Sequence, residues 1–382
     1  MKNFKFSNKF NFLHLFTKPK KSFFCYLATS FFLYYNRNEL KQLTENFFNK
    51  ESNNLQCFST KETEITNTYY PANNPIEDRY TIKFLDKIKN CLFLSVLDGH
   101  GGYYMSEFAN QRLYVYFEEE MLKQNSGSDN EKVVKSLKEA FNRVEMEFKE
   151  LALRTYKKGQ GRASTVGSCA LVVVIYNDIL YVANLGDSKA SLIRYDENNK
   201  EYYYEKLMNR HNSEKPREKE KLYKMFPNEK DIVVCKRPNG TVCYVKGRLQ
   251  PTRSFGDFHL KYAEFNENEG SEYKRPIKNF NGPYISAYPE FTIYPLNYSN
   301  DKYLVIATDG LGDFVSNQEL VKIVSQKAKQ NDEPKAEDLL SKVLDLAAEE
   351  QGMTRLQLSK VPLGKRRNLH DDTTIIFLPL KK

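Results

Sequence analysis

The segment Ser168–Tyr195 reads SCALVVVIYNDILYVANLGDSKASLIRY. Ser168–Tyr176 is an apolar, β-branched run, the composition that fills a buried strand. Asn177-Asp178 supplies a tight two-residue turn, and Ile179–Leu185 returns as a second strand. Gly186-Asp187 turns the chain again before Ala190–Tyr195. Strands joined this closely run antiparallel, because a parallel neighbour needs a crossover of about a dozen residues or more. The segment therefore predicts an antiparallel meander.

Outward from the meander, strands and helices are mixed. Arg79–Leu85 and Cys91–Leu97 read as strands around a polar turn at 87–90. Tyr103–Lys123 and Glu131–Tyr156 are long and charged, with apolar residues at helical spacing. Downstream, a helix fits Ser213–Phe226, and strands fit Ile285–Tyr294 and Tyr303–Thr308. Helices fit Asn317–Lys329 and Lys335–Gly352, and Thr373–Leu380 closes as a strand. Hairpins beside helix pairs do not fit a doubly wound parallel sheet. The expected fold class is α+β, two packed antiparallel β-sheets flanked by helices in an α-β-β-α sandwich.

Four acidic motifs fall at strand ends or turns of this scheme: Glu77-Asp78, Asp98-Gly99-His100-Gly101-Gly102, Asp309-Gly310 and Asp371-Asp372. Any one Asp-Gly is an ordinary turn. Carboxylates gathered from several places repel one another and are costly to bury unless a cation joins them. With oxygen donors and no Cys or His cluster, the expected cation is hard, Mg²⁺ or Mn²⁺ rather than Zn²⁺. Gly99 is expected to turn the backbone so that its carbonyl faces a metal. Gly101-Gly102 leaves room for a substrate beside His100.

The 382 residues are 40% hydrophobic and 28% charged, enough for a sizeable core. The net charge of +9 is uneven. Residues 1–38 hold Lys2, Lys5, Lys9, Lys18, Lys20, Lys21 and Arg37 and no acid, leaving 51 basic against 49 acidic residues elsewhere. A nearly neutral body argues against nucleic acid as a partner. The six cysteines form no C-x-x-C pair, so neither a disulfide framework nor a zinc site is expected. Cys91 and Cys169 read as buried thiols.

Residues 1–38 read as a basic targeting segment. Within it, the uncharged run 22–36 is a candidate membrane anchor, shorter than the roughly 20 apolar residues of a spanning helix. The expected location is mitochondrial. A signal anchor in another membrane and a cytosolic protein with a basic tail are the alternatives. Residues 39–66 read as a linker and residues 67–382 as the functional domain, expected to be monomeric.

Six motifs in order carry a resemblance: Ile76-Glu77-Asp78, Asp98-Gly99-His100-Gly101-Gly102, Ala183-Asn184-Leu185-Gly186-Asp187-Ser188, Arg253-Ser254-Phe255-Gly256-Asp257, Ala307-Thr308-Asp309-Gly310 and Asp371-Asp372-Thr373-Thr374. Together, over about residues 65–380, they resemble the metal-dependent protein phosphatases of the PPM or PP2C family. Pro71–Arg79 and His211-Asn212 look more narrowly like pyruvate dehydrogenase phosphatase catalytic subunits, and a plant plasma-membrane branch shares much of the pattern.

The resemblance implies two metal ions roughly 4 Å apart, hydrolysis by a water that they activate, and a phosphoserine or phosphothreonine protein as substrate. It implies that Asp98 bridges the ions, that the Gly99 carbonyl and, through water, Glu77 serve one, and that Asp309 and Asp371 serve the other. Asp187 matches a position that, with Asp309, holds a weaker third ion, or else it is a hairpin-turn residue. His100 looks like the general acid for the leaving oxygen. Asp257 is expected to cap a helix beginning near Phe258. Two departures stand out. Asn73 occupies the place of a phosphate-binding Arg common in the family, and Gly312 that of a common Trp. A membrane-anchored signalling phosphatase outside mitochondria, and a non-catalytic binding protein on the same fold, are the alternative functions.

Overall fold

A computed structural model describes residues 60–236, 242–267 and 276–382. The basic segment 1–38, the candidate anchor 22–36 and most of 39–66 lie outside the described residues. Among the described residues no helix is long and apolar enough to cross a membrane.

The chain opens with β1 (Thr66–Tyr70), β2 (Arg79–Phe84) and β3 (Cys91–His100), then α1 (Tyr104–Lys123) and α2 (Asp129–Tyr156). The meander follows as β4 (Gly167–Tyr176), β5 (Ile179–Leu185), β6 (Lys189–Asp196) and β7 (Glu201–Lys206). Next come α3 (Pro216–Met225), β8 (Val233–Lys236), β9 (Val242–Val245), β10 (Phe255–Gly256), β11 (Glu290–Pro295) and β12 (Asp301–Ala307). The last part is α4 (Asp309–Gly312), α5 (Asn317–Lys329), α6 (Ala336–Glu350), α7 (Arg355–Lys360) and β13 (Thr373–Pro379).

One sheet has the order β1-β13-β12-β6-β7 and the other β11-β5-β4-β3-β2, with β10 added on β4. All the strand pairs in these sheets are antiparallel. Alternation along each strand sorts its side chains. Leu92, Leu94 and Val96 of β3 meet Leu304, Ile306 and Ile376 between the sheets. Phe93 and Leu97 point the other way, onto Phe117 of α1 and Phe141 of α2. Val305 and Phe377 likewise face Leu320 of α5 and Leu339 of α6. Strands covered on both faces are apolar at every position, so β4 reads as a continuous run. The architecture is the α-β-β-α sandwich that the strand and helix pattern predicts.

Local chemistry sets several boundaries. Helix α2 starts two residues earlier than expected, because Ser128 and Glu131 form a capping box ahead of Asp129. β11 is shorter than the expected Ile285–Tyr294, since Pro289 has no N–H for the ladder. Thr66, placed in the linker by sequence, opens β1. Thr60 donates to the Pro379 carbonyl at 2.6 Å, so the end of that segment is packed. The expectation of no disulfide is corrected: Cys235 and Cys243 are joined across the antiparallel β8–β9 pair. Eight residues separate them in sequence, and only the hairpin makes them neighbours.

Antiparallel order places the C-terminal ends of β3, β5 and β12 beside the N-terminal ends of β4, β6 and β13. In register terms, His100 lies opposite Gly167, and Ala307 lies between Lys189 and Ile375. The acidic motifs share that end of the sandwich.

Candidate metal centre

Asp98, Asp187 and Asp309 each offer a carboxylate oxygen, and these lie within 4.8 Å of one another. Asp98 comes from β3, Asp187 from the β5–β6 turn and Asp309 from the start of α4. Asp309 Oδ1 is buried with no hydrogen-bond partner. Among the described residues the one backbone hydrogen bond to the trio's carboxylates is long, from Asp309 N–H to Asp98 Oδ2 at 3.4 Å. Burial, followed by the charge of Asp309, holds the Asp98 carboxyl well above the usual range. Burial, followed by Asp371, does the same to Asp309. Buried carboxylates that repel one another, one with an orphaned oxygen, fit a hard divalent cation.

Asp371 and Glu77 stand beside this trio. Asp371 takes the guanidinium of Arg367 at 2.8 Å and the Asp372 N–H at 2.7 Å. Its carboxyl is raised to about 6 by burial, which Arg367 opposes. Burial raises Glu77 as well, opposed by His100 and reinforced by Asp372. Asp371 weighs on Asp309 more than Asp187 does, so it belongs to the same cluster of charge. Gly99 differs from expectation. It continues β3 rather than turning the chain. Its bareness is needed because a Cβ would overlap the Glu77 carbonyl oxygen and Ser106 Oγ.

The Glu77 loop is held from far away. Asp372 Oδ1 accepts the N–H groups of Ala72 and Asn73, at 2.6 and 2.9 Å, and Oδ2 accepts the Glu77 N–H at 2.8 Å. The Asn73 side chain adds a fourth bond to Asp372 at 3.0 Å. The residue in place of the expected Arg is thus a loop anchor. Arg79 is spent as well, on Glu107 at 2.6 Å and on the carbonyls of Ile76 and Asp78. Asp78 is buried and accepts from the Thr308 hydroxyl at 2.8 Å, tying β2 to the residue before Asp309.

Two placements were not legible as function. Asp257 does not cap a helix with its side chain. It adopts a left-handed backbone, φ 48°, and its Oδ2 lies 2.7 Å from His100 Nε2. Ser254 Oγ donates to the same oxygen at 2.7 Å. Burial alone would lower the His100 pKa, but Asp257 outweighs it and the net shift is upward. Gly167 makes the pair possible, since a Cβ there would overlap both side chains. The Gly256-Asp257 dipeptide in the fourth motif was the available signal. Second, the Asn212 amide donates to Asp187 Oδ2 at 2.6 Å. Neighbouring His211 receives the Gly186 N–H on Nδ1 at 3.3 Å and meets Glu290 through Nε2 at 2.7 Å. The Asp187 turn is therefore oriented by a second layer of residues.

Comparison with known proteins agrees with this geometry. A family model described as protein phosphatase 2C matches residues 78–354. The chain is 32% identical over 320 residues to probable protein phosphatase 2C 38 of Arabidopsis thaliana, covering 82% of this chain and 80% of that protein. It is 30% identical over 320 residues to probable protein phosphatase 2C 28 of Oryza sativa subsp. japonica, covering 82% and 77%. The fold is similar to a crystal structure of serine-threonine phosphatase 2C from Toxoplasma gondii, with a TM-score of 0.58 at 18% identity over 86% of this chain and 98% of that one. It is also similar to the structure of a C. elegans sex determining protein, with a TM-score of 0.56 at 19% identity over 86% and 66%. The chain belongs to the protein phosphatase 2C family and is a protein serine/threonine phosphatase.

Proposed function

We propose that the chain hydrolyses phosphoserine and phosphothreonine in protein substrates with Mg²⁺ or Mn²⁺ held by Asp98, Asp187 and Asp309, assisted by Asp371, Glu77 and the Gly99 carbonyl. The observation that carries this reading is the buried trio with the orphaned Asp309 oxygen, set beside the His100–Asp257 pair. Bound divalent cations supply a more acidic water and neutralise phosphoryl charge. His100 donates the proton that the leaving serine or threonine oxygen needs, and Asp257 keeps that proton on the ring. Arg367, half exposed beside Asp371, is the guanidinium that meets a phosphoryl oxygen in place of the Arg that Asn73 replaces.

Hydrolysis of a phosphothreonine peptide with and without Mn²⁺ tests this. Metal-dependent turnover lost in Asp98→Ala is expected. Equal turnover without metal, or full activity in Asp98→Ala, overturns it. The non-catalytic alternative predicts no turnover in either case.

Kinship with pyruvate dehydrogenase phosphatases, and a substrate in that complex, rests on Asn73, on His211-Asn212 and on the basic segment 1–38. The relatives named above carry no substrate in their names. Imaging a tagged full chain beside one lacking residues 1–38 tests the mitochondrial reading. Import abolished by the deletion supports it, and staining at the cell surface or in the cytosol refutes it.

A further inference from the structure

A cavity of about 460 Å³ lies against Gly312, the last residue of α4, three residues after Asp309. Its walls carry Lys189, Lys206, Arg210, Lys215 and Arg217, and Ser316 at the N-terminus of α5. No acidic residue is among the described residues that line it.

Part of this charge is answered locally. Arg217 meets Glu290 at 2.7 Å, and Arg210 reaches Asp313 at 3.7 Å. Arg210 also feels Asp187 and Asp309, so balancing the metal centre explains that residue. It does not explain the others. Lys189 is half-buried beside Arg210 on the wall of this cavity. Among the described residues its ammonium bonds to the Val315 carbonyl alone, at 2.9 Å, and Lys206 to the Asn209 side-chain oxygen alone, at 2.9 Å. Arg210 Nε is buried with no hydrogen-bond partner. The 13-residue helix α5 adds the positive end of its dipole through Ser316 and Asn317. Cations crowded with one another around an acid-free cavity, one with an unused buried donor, are matched by an oxyanion.

We propose that this cavity is an accessory anion site that takes a second oxyanion of the phosphoprotein substrate, a phosphoryl group or a carboxylate. The proposal rests on the phosphatase reading above. Helix α4 advances about 4.5 Å from Asp309 to Gly312, and an extended peptide advances about 3.3 Å per residue. The second charge therefore sits about one to two residues from the phosphoresidue being hydrolysed.

Three peptides with one phosphothreonine test it, differing two residues away in having Ala, Glu or phosphoserine. With Mn²⁺, kcat/KM should be roughly tenfold higher for the Glu and phosphoserine peptides than for the Ala peptide, the size expected of a few complementary charges. A phosphoserine peptide clearly better than the Glu peptide identifies a phosphoryl ligand, and equality identifies any oxyanion. Lys206 and Lys215 are exposed, so K206E/K215E should fold, checked by an unchanged melting curve, and should erase the ranking. The lysine-to-alanine pair should weaken it. The same labelled peptides should keep their order in binding to EDTA-treated protein, read by fluorescence anisotropy. No ranking in the wild-type protein, or a ranking that survives K206E/K215E, overturns the proposal. If no peptide is turned over while the binding order holds, the phosphatase reading fails and the anion site stands.

Discussion

His100 Nε2 and Asp257 Oδ2 stand 2.7 Å apart although 157 residues separate them in sequence. The carboxylate is 2% exposed and also accepts from Ser254, so it is fixed in place and aims the ring. Asp257 acts through His100, as a positioning residue. Asp257→Asn should lower turnover of a phosphothreonine peptide roughly 10- to 100-fold, no more than the low end of what general acid catalysis contributes, because the ring itself remains. It should cost far less with p-nitrophenyl phosphate, whose leaving group needs no proton. Equal losses on both substrates would mean that Asp257 only supports the fold.

The acidic trio predicts opposite effects on stability and on activity. Asp309→Asn removes one of the charges that Asp98 resists. In EDTA the variant should melt above the wild-type protein, although it should be inactive. Saturating Mn²⁺ should raise the wild-type melting temperature, by about 2.7 kcal/mol of added stability at a hundred times the dissociation constant. The variant should gain less. Differential scanning fluorimetry across a Mn²⁺ series reads both effects, and an EDTA melting point below wild type would contradict the repulsion.

Arg367 contacts Asp371 through a half-exposed side chain. Arg367→Ala should raise KM for a phosphopeptide about tenfold, the loss of one charge-assisted hydrogen bond. Its kcat should change much less. Unaltered KM in steady-state kinetics would leave the phosphate to other groups.

Glu290 should make stability depend on pH. Burial would raise its pKa, but Arg217 and His211 outweigh burial and bring it down to about 2. A folded-state pKa below the unfolded value gives stability that is present above the unfolded value and lost as pH falls through the folded one. Wild-type protein should therefore melt above Glu290→Gln at pH 7. The gap should close between roughly pH 4.5 and 2. A gap independent of pH across thermal melts would show that shape, not charge, matters at this position.

The sandwich was legible because its strands are marked by β-branched runs and by tight turns such as Asn177-Asp178. The clustered carboxylates were legible as a group because they lie at the ends of apolar strands. What escaped was chemistry made by distant partners. Asp257 looked like a cap since nothing in its surroundings names His100. Asn73 looked like a loss, whereas Asp372 gives it a task. Cys235 and Cys243 join only because β8 and β9 pair. The cations around Gly312 lie within residues 189–217, but only the fold brings that stretch against Gly312 and the start of α5.

Asp372 grips the loop that presents Glu77, with 300 residues between Ala72 and its acceptor. It does so from the threshold of β13, which lies between β1 and β12 in the interior of its sheet. A nascent chain on the ribosome therefore has neither that sheet nor that loop in order until β13 has emerged. The loop that presents Glu77 is completed only when β13 joins its sheet, and a product terminated before Asp372 would lack that grip.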